Sequence, residues 1–339
     1  MSYRRFDNDD IVVSADSITS PAWSSNAVTL SEFHTGSQAL TNSGRYFQHI
    51  YNTGSADQEI QFSIAYGNRL GSGSFGNYDS AIAGKSYSST VYGQFRTLLN
   101  GDEDTDFSFL QSGTPTTPNS VHFISIQRSR FKEKILPGSI LLSLSGSSAN
   151  KLIKLTDNSK TLTTDSFTDA GRVYSLYSGS AAGTVISTDI EYGKLYPDVG
   201  IIALNSDKLD TDDFIGNLDV TTSVAEPGNK KVLQTALNLG AGFTLRSDET
   251  LSSNFIFVRA RNSEFNYSTN PSNITGSGEL RHSTMIDNPQ SYISQVGLYN
   301  DSNDLLAVAK LSTPLLKDFT KEALVRIKLT INEWVLTKN

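Results

Sequence analysis

Cysteine is absent from all 339 residues. That excludes disulfide staples, thiolate metal sites and thiol nucleophiles together, so the fold must be held by packing. Histidine is scarce: His34, His49, His122 and His282 are scattered with no pair four apart, which argues against a zinc enzyme. No stretch approaches the roughly 18 uninterrupted apolar residues that a spanning helix needs, so no membrane span is expected. The opening residues, Met1-Ser-Tyr-Arg-Arg-Phe-Asp, lack the apolar core of a secretory signal, and assembly in a cytoplasm is the simplest expectation. Positive charge is in deficit, with 28 Lys and Arg against 35 Asp and Glu and a net charge of −7. Binding to phosphate backbones rests on clustered cations, so nucleic acid is not the expected partner.

What is present reads as a globular chain. Hydrophobic residues make up 37% and charged residues 19%, which is ordinary for a folded soluble protein. At about 150 residues per domain, two or three domains are expected. Asn, Asp, Ser, Thr and Gly alternate with short apolar and aromatic pieces, the texture of a β protein with many turns. The expected class is mainly β, with β-sandwich or barrel-like domains, one or two short helices and an extended N-terminal arm. The expected divisions are 1–120 for the arm and a first β-rich domain, 121–225 for a middle β domain, and 226–339 for a C-terminal β-rich docking domain.

The first forty residues are short apolar pieces separated by Ser, Thr, Asn and Pro21, and read as an arm laid on a neighbouring subunit. From Gln58 to Tyr66, Ile60, Phe62 and Ile64 alternate with Gln61, Ser63 and Ala65, the period of a strand. Val91, Phe95, Leu98 and Leu99 fall at helical spacing, with Ser89 or Thr90 to cap the start and Asn100-Gly101 the end. Strands are expected at 121–126, 140–144, 152–155, 173–177, 184–190 and 199–204. Lys230 to Leu239 places Val232, Leu233, Ala236 and Leu237 on one helical face, with Gly240 to terminate it. Toward the end, Asn254 to Ala260 is a strand and 263–278 a polar loop. Tyr292 to Tyr299, the turn Asn300 to Asp304 and the run after it form a hairpin. Its buried face draws on Ile293, Val296 and Leu298, with either Leu305, Ala307 and Ala309 or Leu306, Val308 and Leu311. In the last strand Val325, Ile327, Leu329 and Ile331 alternate with Arg326, Lys328 and Thr330.

Several motifs carry chemistry in other proteins. Gly71-Ser-Gly73-Ser-Phe-Gly76 satisfies G-x-G-x-x-G, but Asn77-Tyr-Asp-Ser follows where a dinucleotide site needs a helix start, so a loop is expected. Ala83-Gly84-Lys85-Ser86 ends like a P-loop whose first glycine is replaced by Asp79. Asp102, Asp104 and Asp106 have the alternate spacing of a calcium loop, without the glycine and the final Glu that complete one. Asp207, Asp210, Asp212 and Asp213 are a weaker version. Arg128, Arg130, Lys132 and Lys134 form a basic stripe on one side of a strand end, read either as an interface for an acidic surface or as an edge protected from aggregation by charge. Arg259 and Arg261 repeat that theme. Tyr46, Phe47, Tyr51, Tyr66, Phe75 and Tyr78 are sheet core before they are a sugar platform. No catalytic set and no cofactor is expected, and the sequons at Asn266, Asn273 and Asn300 carry little without a secretory signal.

Val296-Gly-Leu-Tyr-Asn-Asp, a short turn and Leu305-Leu-Ala-Val-Ala-Lys resemble the Gly-Leu-Tyr/Phe-Asp-x-x-Gly-x-Leu-x-Ala-Val hairpin of baseplate-proximal tail-fibre domains in phages. Four longer phrases extend the likeness: Ile124-Ser-Ile-Gln-Arg-Ser-Arg-Phe-Lys-Glu-Lys-Ile-Leu-Pro-Gly, Leu155-Thr-Asp-Asn-Ser with Asp169-Ala-Gly-Arg-Val-Tyr, Tyr196-Pro-Asp-Val-Gly-Ile-Ile-Ala-Leu-Asn, and Arg259-Ala-Arg-Asn-Ser-Glu-Phe-Asn-Tyr-Ser. Together they resemble a virion structural protein of T-even-like contractile-tailed phages, especially those of marine cyanobacteria. The resemblance implies a non-enzymatic tail component at the baseplate or at a fibre attachment, present in multiple copies around the tail axis and bound to other tail proteins. The candidate contact residues are Arg128, Arg130, Lys132, Lys134, Arg259, Arg261, Tyr299, Asn300 and Asp301. A neck or capsid location, a glycan-binding adhesin and a tail hydrolase are the alternatives.

Overall fold

The computed structural model describes residues 5–36, 45–55, 58–73, 86–146, 152–211 and 228–331. It is mainly β, as expected, with four helices among the described residues: α1 (Tyr87–Asn100), α2 (Ser206–Thr211), α3 (Gly228–Gly240) and α4 (Thr284–Asp287). The chain forms two compact units, residues 18–249 and residues 1–17 with 250–339.

In the larger unit one sheet runs, neighbour to neighbour, through Thr29–Leu30, Gly242–Thr244, Leu141–Ser145, Leu152–Asp157, Gly171–Ala181 and Gly193–Tyr196. It continues through Ile201–Asn205, Ser120–Ile126, Ile60–Asn68, Phe47–Tyr51 and His34–Thr35. Its two ends meet across the core. Trp23 stands 5.0 Å from Phe243 near one end and 6.1 Å from Phe62 near the other, and Phe62 lies 5.5 Å from Phe243. The sheet therefore curls into a barrel-like body around Ile64, Ile124, Leu142, Leu155, Leu176 and Leu204. Leu233, Ala236 and Leu237 of α3 enter the same core.

Strands near the middle of the path are buried on both faces, which period-2 alternation explains. In Ser120–Ile126, Ile124 and Ile126 point into the barrel, while Val121 and Phe123 point outward to a second cluster under α1. There Val91, Tyr92 and Leu99 cover the sheet, and Phe95 stacks on Phe123 at 4.1 Å. This helix begins at Tyr87, three residues before Thr90, and Leu98 is 52% exposed instead of sharing the packed face. Its end is as expected: Gly101 adopts φ +74° and donates its N–H to the Thr97 carbonyl. The helix α3 ends differently. Gly240 is still helical, and the left-handed residue is Ala241 at φ +49°. Gly240 serves close packing, since a Cβ there would stand 2.1 Å from the Ser143 carbonyl oxygen.

The arm is extended and its strands pair within the chain: Thr29–Leu30 with Gly242–Thr244, and His34–Thr35 with Phe47–Tyr51. Ile11–Pro21 joins Arg246–Ala260 and Ala323–Ile331 in a separate sheet. The expected division at 120 and 121 falls at the start of Ser120–Ile126, which bonds to Ile60–Asn68 on one side and Ile201–Asn205 on the other. Residues before and after it thus share one sheet. The expected division at 225 and 226 lies outside the described residues.

In the smaller unit Arg246–Ala260 pairs with Ala323–Ile331 from Ser252↔Ile331 to Ala260↔Ala323. The expected hairpin is formed by Ser291–Tyr299 and Leu305–Lys317. Asn300 clamps its turn by accepting the Asp304 N–H at 2.7 Å, and Asn303 adopts φ +64°. The core cluster is small: Ile256, Leu298, Val325 and Ile327, with Val296, Ala307, Ala309 and Leu311 packed against it. A register shift between Leu298↔Ala307 and Tyr299↔Leu305 breaks the alternation, so Leu305 does not follow Ala307 inward and both Leu305 and Leu306 are exposed.

Candidate functional site

Side chains two apart share a face only on a strand. Arg128–Arg130 is a 3-10 turn and regular pairing resumes only at Lys134–Ile135, so the basic stripe separates into four environments. The Arg128 guanidinium lies 4.7 Å over the Phe131 ring and donates to the carbonyls of Phe131 and Lys132, stapling its own loop. Arg130 Nη1 pairs with Glu59 Oε2 at 2.9 Å, and its Nε and Nη2 reach the Ser129 hydroxyl. Lys134 Nζ stands 3.4 Å from Asp248 and 3.7 Å from Glu133, with a side chain only 13% exposed. Lys132 alone of the four is an exposed cation with no ion pair or side-chain hydrogen bond among the described residues. Its backbone N–H donates to Ser247 Oγ at 2.7 Å, which fixes the loop. A cavity of about 350 Å³ opens beside it, walled by Trp23, Pro21 and Phe131, with Arg130, Lys132 and Ser247 among its polar lining.

The other expected contact residues lie in the smaller unit. Arg259 and Arg261 are exposed, and the Arg261 backbone N–H is held by Glu264 Oε2 at 3.0 Å. Tyr299 lays its ring across Gly297, Asn300 bonds Asp304, and Asp301 is exposed at the tip. The same unit exposes Tyr292 and Leu306, each 68%, with Leu305, Val308, Phe319 and Leu324. Sequence reasoning missed Lys317, whose fully buried ammonium donates to the Asn262 carbonyl, Asn266 Oδ1 and the Asp318 carbonyl. Only its partners, some fifty residues away for two of them, mark it as different from a surface lysine. They also close the Asn266 sequon, since that side chain is buried.

The spaced carboxylates do not gather. Asp102 accepts from the Asp104 N–H and the Thr105 hydroxyl, bonds that hold its carboxyl below the usual range. Asp106 takes Arg69 at 3.3 Å and Arg96 at 3.1 Å. Among the described residues no three carboxylate, histidine or cysteine side chains could hold a metal ion. Asp207 accepts the N–H groups of Asn119 and Ser120, while Asp212 and Asp213 lie outside the described residues, as do 74–76 of the glycine loop and 83–85 of the P-loop-like run. Of the aromatics, Tyr66 is buried 5.0 Å from the His122 ring and Phe47 packs under α1, whereas Phe75 and Tyr78 are outside the description.

His122 and Ser206 form a buried contact, Nδ1 to Oγ at 2.6 Å. Nε2 lies 3.1 Å from the Asn229 carbonyl, which only accepts, so the proton sits on Nε2 and the serine hydroxyl donates to Nδ1. Burial pushes the imidazole down to about 4. With both residues closed off, the pair ties α2 and the start of α3 to the sheet.

A comparison of the chain with protein-family models, with curated proteins and with solved structures finds no match.

Proposed function

We propose that this chain is a non-enzymatic structural subunit of a contractile phage tail, at the baseplate or as a fibre-attachment adaptor, acting through interfaces with other tail proteins. The observation that carries this reading is the smaller unit's surface. Its core cluster holds four residues, while Tyr292, Leu305, Leu306, Val308, Phe319 and Leu324 face solvent. Leu306 and Val308, two apart on one strand, share an exposed face, and burying such a face against a neighbour removes the cost of wetting it. The resemblance of the hairpin and of the longer phrases to tail proteins supports the same reading. Several copies around a symmetry axis let modest interfaces reinforce one another.

The test is location in purified particles. Tails and heads are separated and each fraction is probed with an antibody to this chain. Signal in baseplate-bearing tails is expected, and signal confined to heads would overturn the tail assignment in favour of a neck or capsid role.

A further inference from the structure

From the cavity beside Lys132 we infer that the larger unit carries a binding site for an acidic peptide segment, one that seats a carboxylate on Lys132 and an apolar side chain against Trp23, Pro21 and Phe131. The inference deepens the assembly reading, on which it rests, by naming the chemistry of one partner. Lys132 supplies the charge, since its ammonium has no partner among the described residues. Arg130 stands in the same lining, but its fork is shared between Glu59 and Ser129. The Arg130 side chain is 16% exposed and that of Glu59 56%, so Glu59 can turn out to solvent and leave the Arg130 Nη1 to an incoming carboxylate. The loop that presents both cations is fixed before any ligand arrives. Arg128 staples it from within, Ser247 holds the Lys132 N–H, and Asp248 holds Lys134. Such fixing lowers the ordering cost of binding.

The site suits a carboxylate better than a nucleic acid or a glycan. One lysine with no partner among the described residues and one half-neutralised arginine, on a chain of net charge −7, do not make the clustered field that phosphate backbones need. Trp23 is 2% exposed and donates its indole N–H to the Phe243 carbonyl, so it forms a wall and not a stacking platform for a sugar.

Trp23 is also the reporter. The chain has two tryptophans, Trp23 and Trp334, so Trp334→Phe in the full chain isolates the signal. The probes are an end-blocked hexapeptide of alternating Glu and Leu and its Gln counterpart. The Glu peptide is expected to change Trp23 fluorescence saturably and the Gln peptide to do so at least about tenfold more weakly. Lys132→Gln should weaken the Glu peptide by about tenfold, and Glu59→Gln, which frees Arg130, should tighten it by about threefold. A gain of affinity cannot come from misfolding. Equal binding of the two peptides, binding of neither, or an affinity that neither substitution moves would overturn the inference. The tail assignment is judged separately by the particle fractions, so failure of the peptide with the protein still in tails removes the site and leaves the assembly reading standing.

Discussion

His122 is held neutral by burial, with a pKa of about 4 against an ordinary 6.5. Between those values the unfolded chain binds a proton that the folded chain refuses. Stability from this group is therefore complete above pH 6.5, falls as the pH drops toward 4, and falls no further below it. The full loss is about 3 kcal/mol. Urea midpoints at intervals from pH 7 to pH 4 should show the decline, and His122→Gln should flatten it. His49, also held below its ordinary value by burial, contributes in the same direction, so some slope remains. The basic segment gives a second prediction at this scale. Arg128→Ala removes two hydrogen bonds to carbonyls and a ring contact, and should cost about 1–3 kcal/mol in a denaturation midpoint. Lys132→Gln should change stability by less than about 0.5 kcal/mol. Equal effects of the two would contradict the division of roles drawn from their partners.

At the scale of elements, the end of α3 separates two reasons for a small residue. A methyl at Gly240 overlaps the Ser143 carbonyl, so Gly240→Ala should destabilise by about 1–3 kcal/mol or more, read as a lowered thermal midpoint. Ala241→Gly relieves a left-handed φ of +49° and should stabilise by up to about 1 kcal/mol. The hairpin shows a comparable division. Its turn was legible, because Asn and Asp tolerate the required angles and Asn300 and Asp304 bond locally. Its inward face was not, because the second strand offered two apolar sets, Leu305, Ala307 and Ala309 or Leu306, Val308 and Leu311. The register shift beside Leu305 and the contacts of Ala307, Ala309 and Leu311 decide it.

For the molecule as a whole, the exposed side of that hairpin is where assembly should be tested. Leu306→Asp with Val308→Asp alters two exposed side chains and should leave the thermal midpoint nearly unchanged while abolishing incorporation into particles. Normal incorporation of the double variant would remove this face from the proposed interface. The larger unit differs in the size of its core, which is enclosed by a sheet that curls until Trp23 contacts both Phe62 and Phe243. These three residues span some 220 positions in sequence, and no local pattern announces their meeting.

By itself the sequence determined the mainly β class, the helix near 90–100 with its Gly101 stop, the helix near 230–239, and the hairpin, because each depends on spacing and turn chemistry within a few residues. Tertiary structure decided which cations are free and which faces are buried. It also turned Lys317 and His122 from ordinary surface and titratable residues into buried, hydrogen-bonded ones. Burial and partnership are properties of segments brought together from distant parts of the chain, and a side chain's charge or polarity fixes what it can bond without fixing what arrives beside it.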